Sequence, residues 1–99
     1  MTNEKFRELL QKLHTTELQM FNTKGIDYGS EDDAQACFRA VENDTGVSAQ
    51  AALYVFMLKH LRALAEYCRT GETKSSEDIT DRIIDLRLYL AHMIALKEA

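Results

Sequence analysis

Acidic side chains recur along one face of the predicted C-terminal helix. Asp81 and Asp85 are four residues apart, so both carboxylates project from the same side of a helix. Like charges at this spacing destabilise a helix by roughly 0.2–0.5 kcal/mol unless something neutralises them. Carboxylate oxygens are ligands that Mg²⁺ accepts in proteins, usually together with substrate phosphates. The spacing therefore indicates a cation site, and Mg²⁺ is the expected ion.

A third carboxylate lies within the apolar stripe of the predicted first helix. Glu17 follows Leu10 and Leu13 and precedes Met20 on that stripe. If the first helix packs against the last, Glu17 converges with Asp81 and Asp85 as a third metal ligand. The alternative is a glutamate at the edge of the bundle, paired with a basic residue.

Basic residues lie level with these acids on the preceding helix. Counted outward from a turn near residue 73, Lys59 and Arg62 come level with Asp85. An arginine binds phosphate through its planar fork and a lysine as a point charge, so both are candidate phosphate contacts. The alternative is a salt-bridged surface, in which Asp85 pairs with Lys59 or Arg62 and Asp78 pairs with Arg82.

The remaining candidates combine one loop with one helical tyrosine. Lys24 is a third candidate phosphate contact, and Tyr28 or Tyr89 is a candidate to stack on a base. Spacing alone does not decide between a nucleotide site and a surface of ion pairs. The elements that would position these residues therefore matter.

Every long segment has the 3.6-residue periodicity of a helix, and the chain has no proline. We predict an all-α, four-helix bundle-like domain with helices at about residues 3–23, 31–43, 49–70 and 76–97. Ser30 with Asp33 predicts the start of the second helix, and Ser48 predicts the start of the third. Gly71 predicts the end of the third helix. The short connection after Gly71 predicts a long C-terminal antiparallel hairpin.

Composition limits the functional classes. The chain of 99 residues predicts one domain over residues 1–99, and a net charge of −4 argues against non-specific nucleic-acid binding. The apolar run from Ala51 to Leu58 is too short to span a bilayer. The N-terminus is charged, and Cys37 and Cys68 fit no zinc spacing, so we expect reduced, half-buried thiols in a cytoplasmic protein without membrane contact.

Two motifs resemble those of small helical phage and prophage proteins. Lys24, Asp27, Tyr28 and Gly29 form a K-x-x-D-Y-G loop, and the helix from Asp81 to Leu90 has the pattern D-R-x-x-D-x-x-x-Y-L. The resemblance covers the chain from Phe21 onward. It implies that Lys24, Asp27 and Tyr28 belong to the ligand site, and that a phage-encoded protein would act in the host cytoplasm.

More remotely, the pattern is similar to MazG-type all-α nucleotide pyrophosphohydrolases and to nucleotide-modification-associated domains of phages. In MazG-type enzymes, an E-E-x-x-E element and a later E-x-x-D element hold Mg²⁺ for pyrophosphate cleavage. Asp85 matches the final D, and Glu17 could serve in the first element. Arg82 stands where the E-x-x-D element has its Glu. The resemblance thus implies nucleotide binding and leaves Mg²⁺-dependent hydrolysis open.

Two functions of different classes follow. The first is a protein that binds, and could hydrolyse, a nucleotide phosphate. The second is a phage accessory protein that sequesters a signalling nucleotide or inhibits a host protein. The predicted last helix is apolar over more of its circumference than three neighbours cover, so we also expect a homo-oligomer, in the simplest case a dimer through the third or fourth helix.

Overall fold

Four helices make up the fold of the computed structural model, which describes residues 1–23, 29, 32–74 and 76–98. They are α1 (Asn3–Thr23), α2 (Ala36–Thr45), α3 (Ala49–Thr70) and α4 (Ile79–Glu98). Helices α3 and α4 pack closely as an antiparallel hairpin, α2 packs on α3, and α1 packs on α4. No residue in the described ranges lies in a strand. The predicted all-α class and C-terminal hairpin are confirmed.

Local capping chemistry fixes both ends of α3. The Ser48 hydroxyl accepts a hydrogen bond from the Ala51 backbone N–H at 3.1 Å, which satisfies an otherwise unpaired helix donor. Gly71 ends the helix in the left-handed conformation (φ +75°), and its N–H donates to the Tyr67 carbonyl. A side chain at this φ would be strained, so glycine is the favoured residue. Both predicted ends of α3 are confirmed.

Two helix starts differ from their predicted positions. Helix α2 begins at Ala36 because Asp33 uses one carboxylate oxygen on the Gln35 backbone N–H and the other on the Arg39 side chain, at 3.0 Å and 2.9 Å. Helix α4 begins at Ile79 because the Asp78 carboxylate accepts from the Thr80 N–H. Asp78 thus caps α4, whereas Asp33 closes a turn ahead of Gln35, the N-cap residue of α2. Ser30 and Glu31, part of the predicted second start, lie outside the described residues.

The core lies between α2, α3 and α4. Phe38 and Leu53 are fully buried, and the Phe38 ring packs edge-on against Phe56 with centroids 5.3 Å apart. The His92 ring packs edge-on against the Phe38 ring, with centroids 5.5 Å apart. The remaining buried apolar side chains are those of Ala49, Ala52, Met57, Ile84, Leu86, Tyr89 and Leu96. These contacts join α2 to the α3–α4 hairpin in one core.

Helix α1 contributes little to this core. None of its residues 3–23 is buried, and Phe6, Leu10 and Leu18 stay about half exposed. Its link to the body includes the Glu17 carboxylate, which pairs with the Arg87 guanidinium of α4. Within the described residues, no helix combines the length and the hydropathy that crossing a bilayer requires.

Gly29, the last residue of the K-x-x-D-Y-G loop, lies against the backbone that leads into α2. A Cβ added there would lie 2.6 Å from the Ala34 Cα and from the Asp33 carbonyl oxygen. Backbone atoms cannot turn aside as a side chain does, so this position requires glycine.

Candidate functional site

A basic cavity of about 260 Å³ lies where α3 ends and α4 begins. Its lining residues come from α3, from the turn and from the first part of α4: Arg62, Ala63, Glu66, Thr73, Lys74 and Arg82. Arg62 and Glu66 are one helical turn apart and therefore share a face of α3. The turn after Gly71 carries Thr73 and Lys74 back over that face. The hairpin geometry thus assembles three basic side chains and one acid in one small volume.

Arg82 is the buried member of this group. Its side chain is 7% exposed, and its Nη2 lies 3.5 Å from the Glu77 Oε2. A buried guanidinium is costly unless a negative charge lies close, and Glu77 supplies one from the segment before α4. The Arg82 guanidinium thus adds a fixed, buried positive charge to the wall of the cavity.

Glu66 balances part of the remaining positive charge. Its carboxylate pairs with Arg69, and its Oε1 lies 3.8 Å from the Lys74 Nζ. Three basic lining residues, Arg62, Lys74 and Arg82, outnumber Glu66 and give the lining a formal charge of +2, of which Glu77 beside Arg82 offsets one unit. An anion therefore suits this cavity better than a cation does.

Sequence reasoning identified Arg62 and missed Arg82 as a ligand candidate. Arg82 lies four and seven residues before Leu86 and Tyr89, so the three share one helix face, and all three are buried. An arginine on the same helix face as core residues was the sequence signal that could have identified Arg82 as a buried charge. Lys59 is exposed on α3 and is not among the described lining residues of this cavity.

The predicted metal ligands do not converge. Glu17 pairs with Arg87, and the Asp85 Oδ2 lies 3.8 Å from the His60 Nδ1. Arg87 follows Asp85 by two residues, about 200° around the helix, so α1 packs on the face away from Asp85. Within residues 1–23, 29, 32–74 and 76–98, no three His, Cys, Asp or Glu side chains are grouped to hold a metal. The expected three-carboxylate convergence is thus corrected to a Glu17–Arg87 ion pair.

The other predicted site residues are differently placed. Asp81 is exposed in the first turn of α4, and Tyr89 is buried with its ring against His60, with centroids 5.6 Å apart. Stacking of Tyr89 on a base would require the core to open. Lys24, Asp27 and Tyr28 lie outside the described residues, so their predicted roles stay predictions. The expected Asp78–Arg82 pair is replaced by the contact between Arg82 and Glu77.

Two buried histidines flank the hairpin core. Burial lowers the pKa of His60 below its ordinary value of 6.5, and the charge of Asp85 opposes part of that effect. Burial also lowers the pKa of His92, whose Nδ1 lies 3.1 Å from the Gln35 Nε2. Because the amide nitrogen of Gln35 is a donor, the neutral imidazole of His92 accepts at Nδ1 and carries its proton at Nε2. Both rings are therefore neutral structural elements near pH 7.

A second cavity of about 290 Å³ lies between α1, the start of α2 and α4. Its walls are largely apolar, and its polar members are His14, Glu17, Gln35 and His92. Glu17, which also pairs with Arg87, lines this cavity. This cavity lacks the concentration of basic side chains found at the hairpin. It is therefore the weaker candidate for an anionic ligand.

The comparisons with known proteins add no relative. No protein-family model, no curated protein and no solved structure matches the chain.

Both cysteines are free thiols. Cys37 is half-buried as expected, whereas Cys68 is exposed near the end of α3. The expected burial of Cys68 is wrong because the last turn of α3 lies beyond the packed part of the hairpin.

Proposed function

We propose that this protein binds a phosphate-bearing small molecule of the nucleotide class in the cavity at the end of the α3–α4 hairpin. The observation that carries the proposal is the cavity itself: the buried Arg82 together with Arg62 and Lys74. The exposed Arg62 guanidinium supplies paired donors for phosphate oxygens, Arg82 adds a buried positive charge, and the lysine adds a mobile charge. The nucleotide class rests on the resemblance of the Lys24–Gly29 loop and of the α4 motif to those of phage proteins.

Mg²⁺ is an optional part of this proposal. Asp81 is an exposed carboxylate in the first turn of α4, one residue before Arg82 in the chain. Mg²⁺ bound by one or two carboxylates keeps several waters and takes its other ligands from phosphates. Asp81 would serve a metal-dependent form of the site, with or without hydrolysis, and a metal-free form would act by sequestration.

A thermal-shift panel of nucleoside mono-, di- and triphosphates, with and without Mg²⁺, tests the proposal. Replacing Arg62 is the informative change, because Arg62 is exposed and its removal leaves the core intact. Losing one charge-assisted hydrogen bond costs about 1.5–3 kcal/mol, so Arg62→Ala should weaken binding about 10- to 100-fold. Arg7→Ala, at an exposed arginine on α1, is the matched control and should bind as the parent does.

The same thermal-shift panel distinguishes the metal-dependent form of the site from the metal-free form. Asp81→Asn should abolish a stabilisation that requires Mg²⁺ and leave a metal-free stabilisation unchanged or stronger. Product release accompanies the first form if the site hydrolyses its ligand. Equal binding by Arg62→Ala and Arg7→Ala, or silence across the whole panel, would refute a phosphate site at the hairpin.

A host-protein target is the second candidate function, and the exposed stripe on α1 favours it. Phe6 and Leu10 are about half exposed and lie among charges of both signs, Glu4 and Glu8 beside Lys5, Arg7 and Lys12. Such a face suits a partner with an apolar groove and a rim of mixed charge. Phe6→Glu should then abolish the effect of the protein on its target while leaving nucleotide shifts unchanged.

A further inference from the structure

The outer face of α4 exposes large aliphatic side chains beside a groove. Leu90 is 52% exposed and Ile94 is 59% exposed. They line a groove of about 720 Å³ between the end of α4 and the start of α3, together with Gln50, Met93, Leu96 and Lys97. Contiguous apolar surface of this kind usually marks a contact site.

The charge pattern distinguishes this face from the other exposed apolar faces. The segment from Leu88 to Leu96 contains no Asp, Glu, Lys or Arg. In contrast, the stripe on α1 lies among charges of both signs, Glu4 and Glu8 beside Lys5, Arg7 and Lys12, and Val55 on α3 is followed by Lys59 and Arg62. A contact centred on this segment of α4 would desolvate no carboxylate, lysine or arginine at its centre, whereas a contact through α1 or α3 would bury charged side chains.

The area of the chain is larger than that of a compact monomer of its size. The accessible surface is 7176 Å² for 11.3 kDa. A typical folded monomer of this mass exposes about 5,700 Å², so about 1,400 Å² is in excess. The radius of gyration of 15.1 Å likewise exceeds the roughly 12.6 Å of a compact 99-residue domain. Helix α1, which has no buried residue, contributes to this excess. A standard protein–protein interface removes about 800 Å² from each partner, so one such contact fits within the excess.

We propose that a second copy of this chain occupies the groove, with α4 packed antiparallel on α4 around a two-fold axis. A two-fold interface is isologous, so Leu90 of each copy faces Ile94 of the other. One turn further out, Arg87 comes opposite Lys97 of the second copy. Arg87 is already paired with Glu17, which removes most of the repulsion at the edge of the interface.

Sedimentation equilibrium over about 1–100 μM tests this assignment. The parent chain should have twice the monomer mass of 11.3 kDa at the upper end of the range. Each substitution acts twice in a two-fold interface, and a charge buried at a hot-spot position is unfavourable in both copies. Ile94→Glu should therefore raise the dimer dissociation constant at least about 100-fold.

Val55→Glu is the matched control, because Val55 on α3 is as exposed as Ile94 at 59%. It should leave the dissociation constant within about 3-fold of the parent value. Leu90→Gln, a milder change, should weaken the dimer in the same direction, and unchanged helical circular dichroism shows that each variant is folded. A monomeric parent at 100 μM overturns the proposal and leaves the face to a different partner. Dissociation by Val55→Glu but not by Ile94→Glu overturns it in favour of α3.

Discussion

Glu17→Gln should destabilise the protein, because it removes the charge that pairs with Arg87. The Glu17 side chain is 16% exposed and that of Arg87 is 35% exposed, so the pair lies between a surface and a buried ion pair. Exposed pairs contribute about 0.2–1 kcal/mol, and breaking a buried pair costs about 3–5 kcal/mol. For this half-buried pair we expect a loss of about 1–2 kcal/mol. In a domain of this size, each kcal/mol shifts Tm by roughly 4–8 °C.

Urea denaturation followed by circular dichroism at pH 7 measures this loss. A double-mutant cycle with Arg87→Met isolates the pair from the effects of each single change. The coupling energy should be about 1 kcal/mol, whereas Glu8→Gln, at an exposed position on the same helix, should change stability by less than about 0.5 kcal/mol. A gain of stability in Glu17→Gln would refute the reasoning. It would mean that Glu17 is repelled by other carboxylates, as the three-carboxylate prediction required.

Three further predictions concern the core and the loop. Burial lowers the pKa of His60 and His92 below 6.5, so below that pH the unfolded state binds more protons than the folded state. The free energy of unfolding should therefore be constant above about pH 7. Below pH 6.5 it should fall by up to about 1.4 kcal/mol per pH unit for each histidine. Urea denaturation from pH 5 to 7.5 measures this, and a flat profile would contradict it. Leu53→Ala should cost about 2–5 kcal/mol in the same assay, since Leu53 is fully buried; a loss below 1 kcal/mol would contradict that burial. Gly29→Ala should cost about 1–3 kcal/mol, because the new Cβ meets backbone 2.6 Å away; a neutral result would refute the close approach.

Features that depend on a few neighbouring residues could be predicted from the sequence. The hydroxyl of Ser48 and the left-handed Gly71 bound α3 through contacts within four residues. The starts of α2 and α4 were predicted less well, because an acid near a helix start can belong to the first turn or cap it from outside. Asp78 caps α4 and Asp33 closes a turn ahead of Gln35, so α2 and α4 both begin later than predicted.

The site depended on long-range packing, which periodicity does not specify. The partner of Glu17 is decided by how α1 is rotated against α4, and a rotation of about half a turn separates Asp85 from Arg87. The hairpin, in contrast, has a short connection, so its register was predictable. The sequence predicted that the part of α3 from Lys59 to Arg62 lies level with Asp85, and the contact between His60 and Asp85 agrees with this height. The residue that contacts Asp85 is a histidine, however, instead of Lys59 or Arg62. Arg62 was found for the same reason.

The shallow attachment of α1 has a consequence for how the native protein opens. A helix with no buried residue loses little apolar contact when it separates, so α1 should detach as a unit at a far lower free energy than global unfolding. Its backbone amides would then exchange with solvent long before those of α3 and α4. The hairpin cavity is lined by residues between Arg62 and Arg82, so it does not need α1 for its shape. Ligand protection at the hairpin and amide exchange in α1 should therefore vary independently within one folded population.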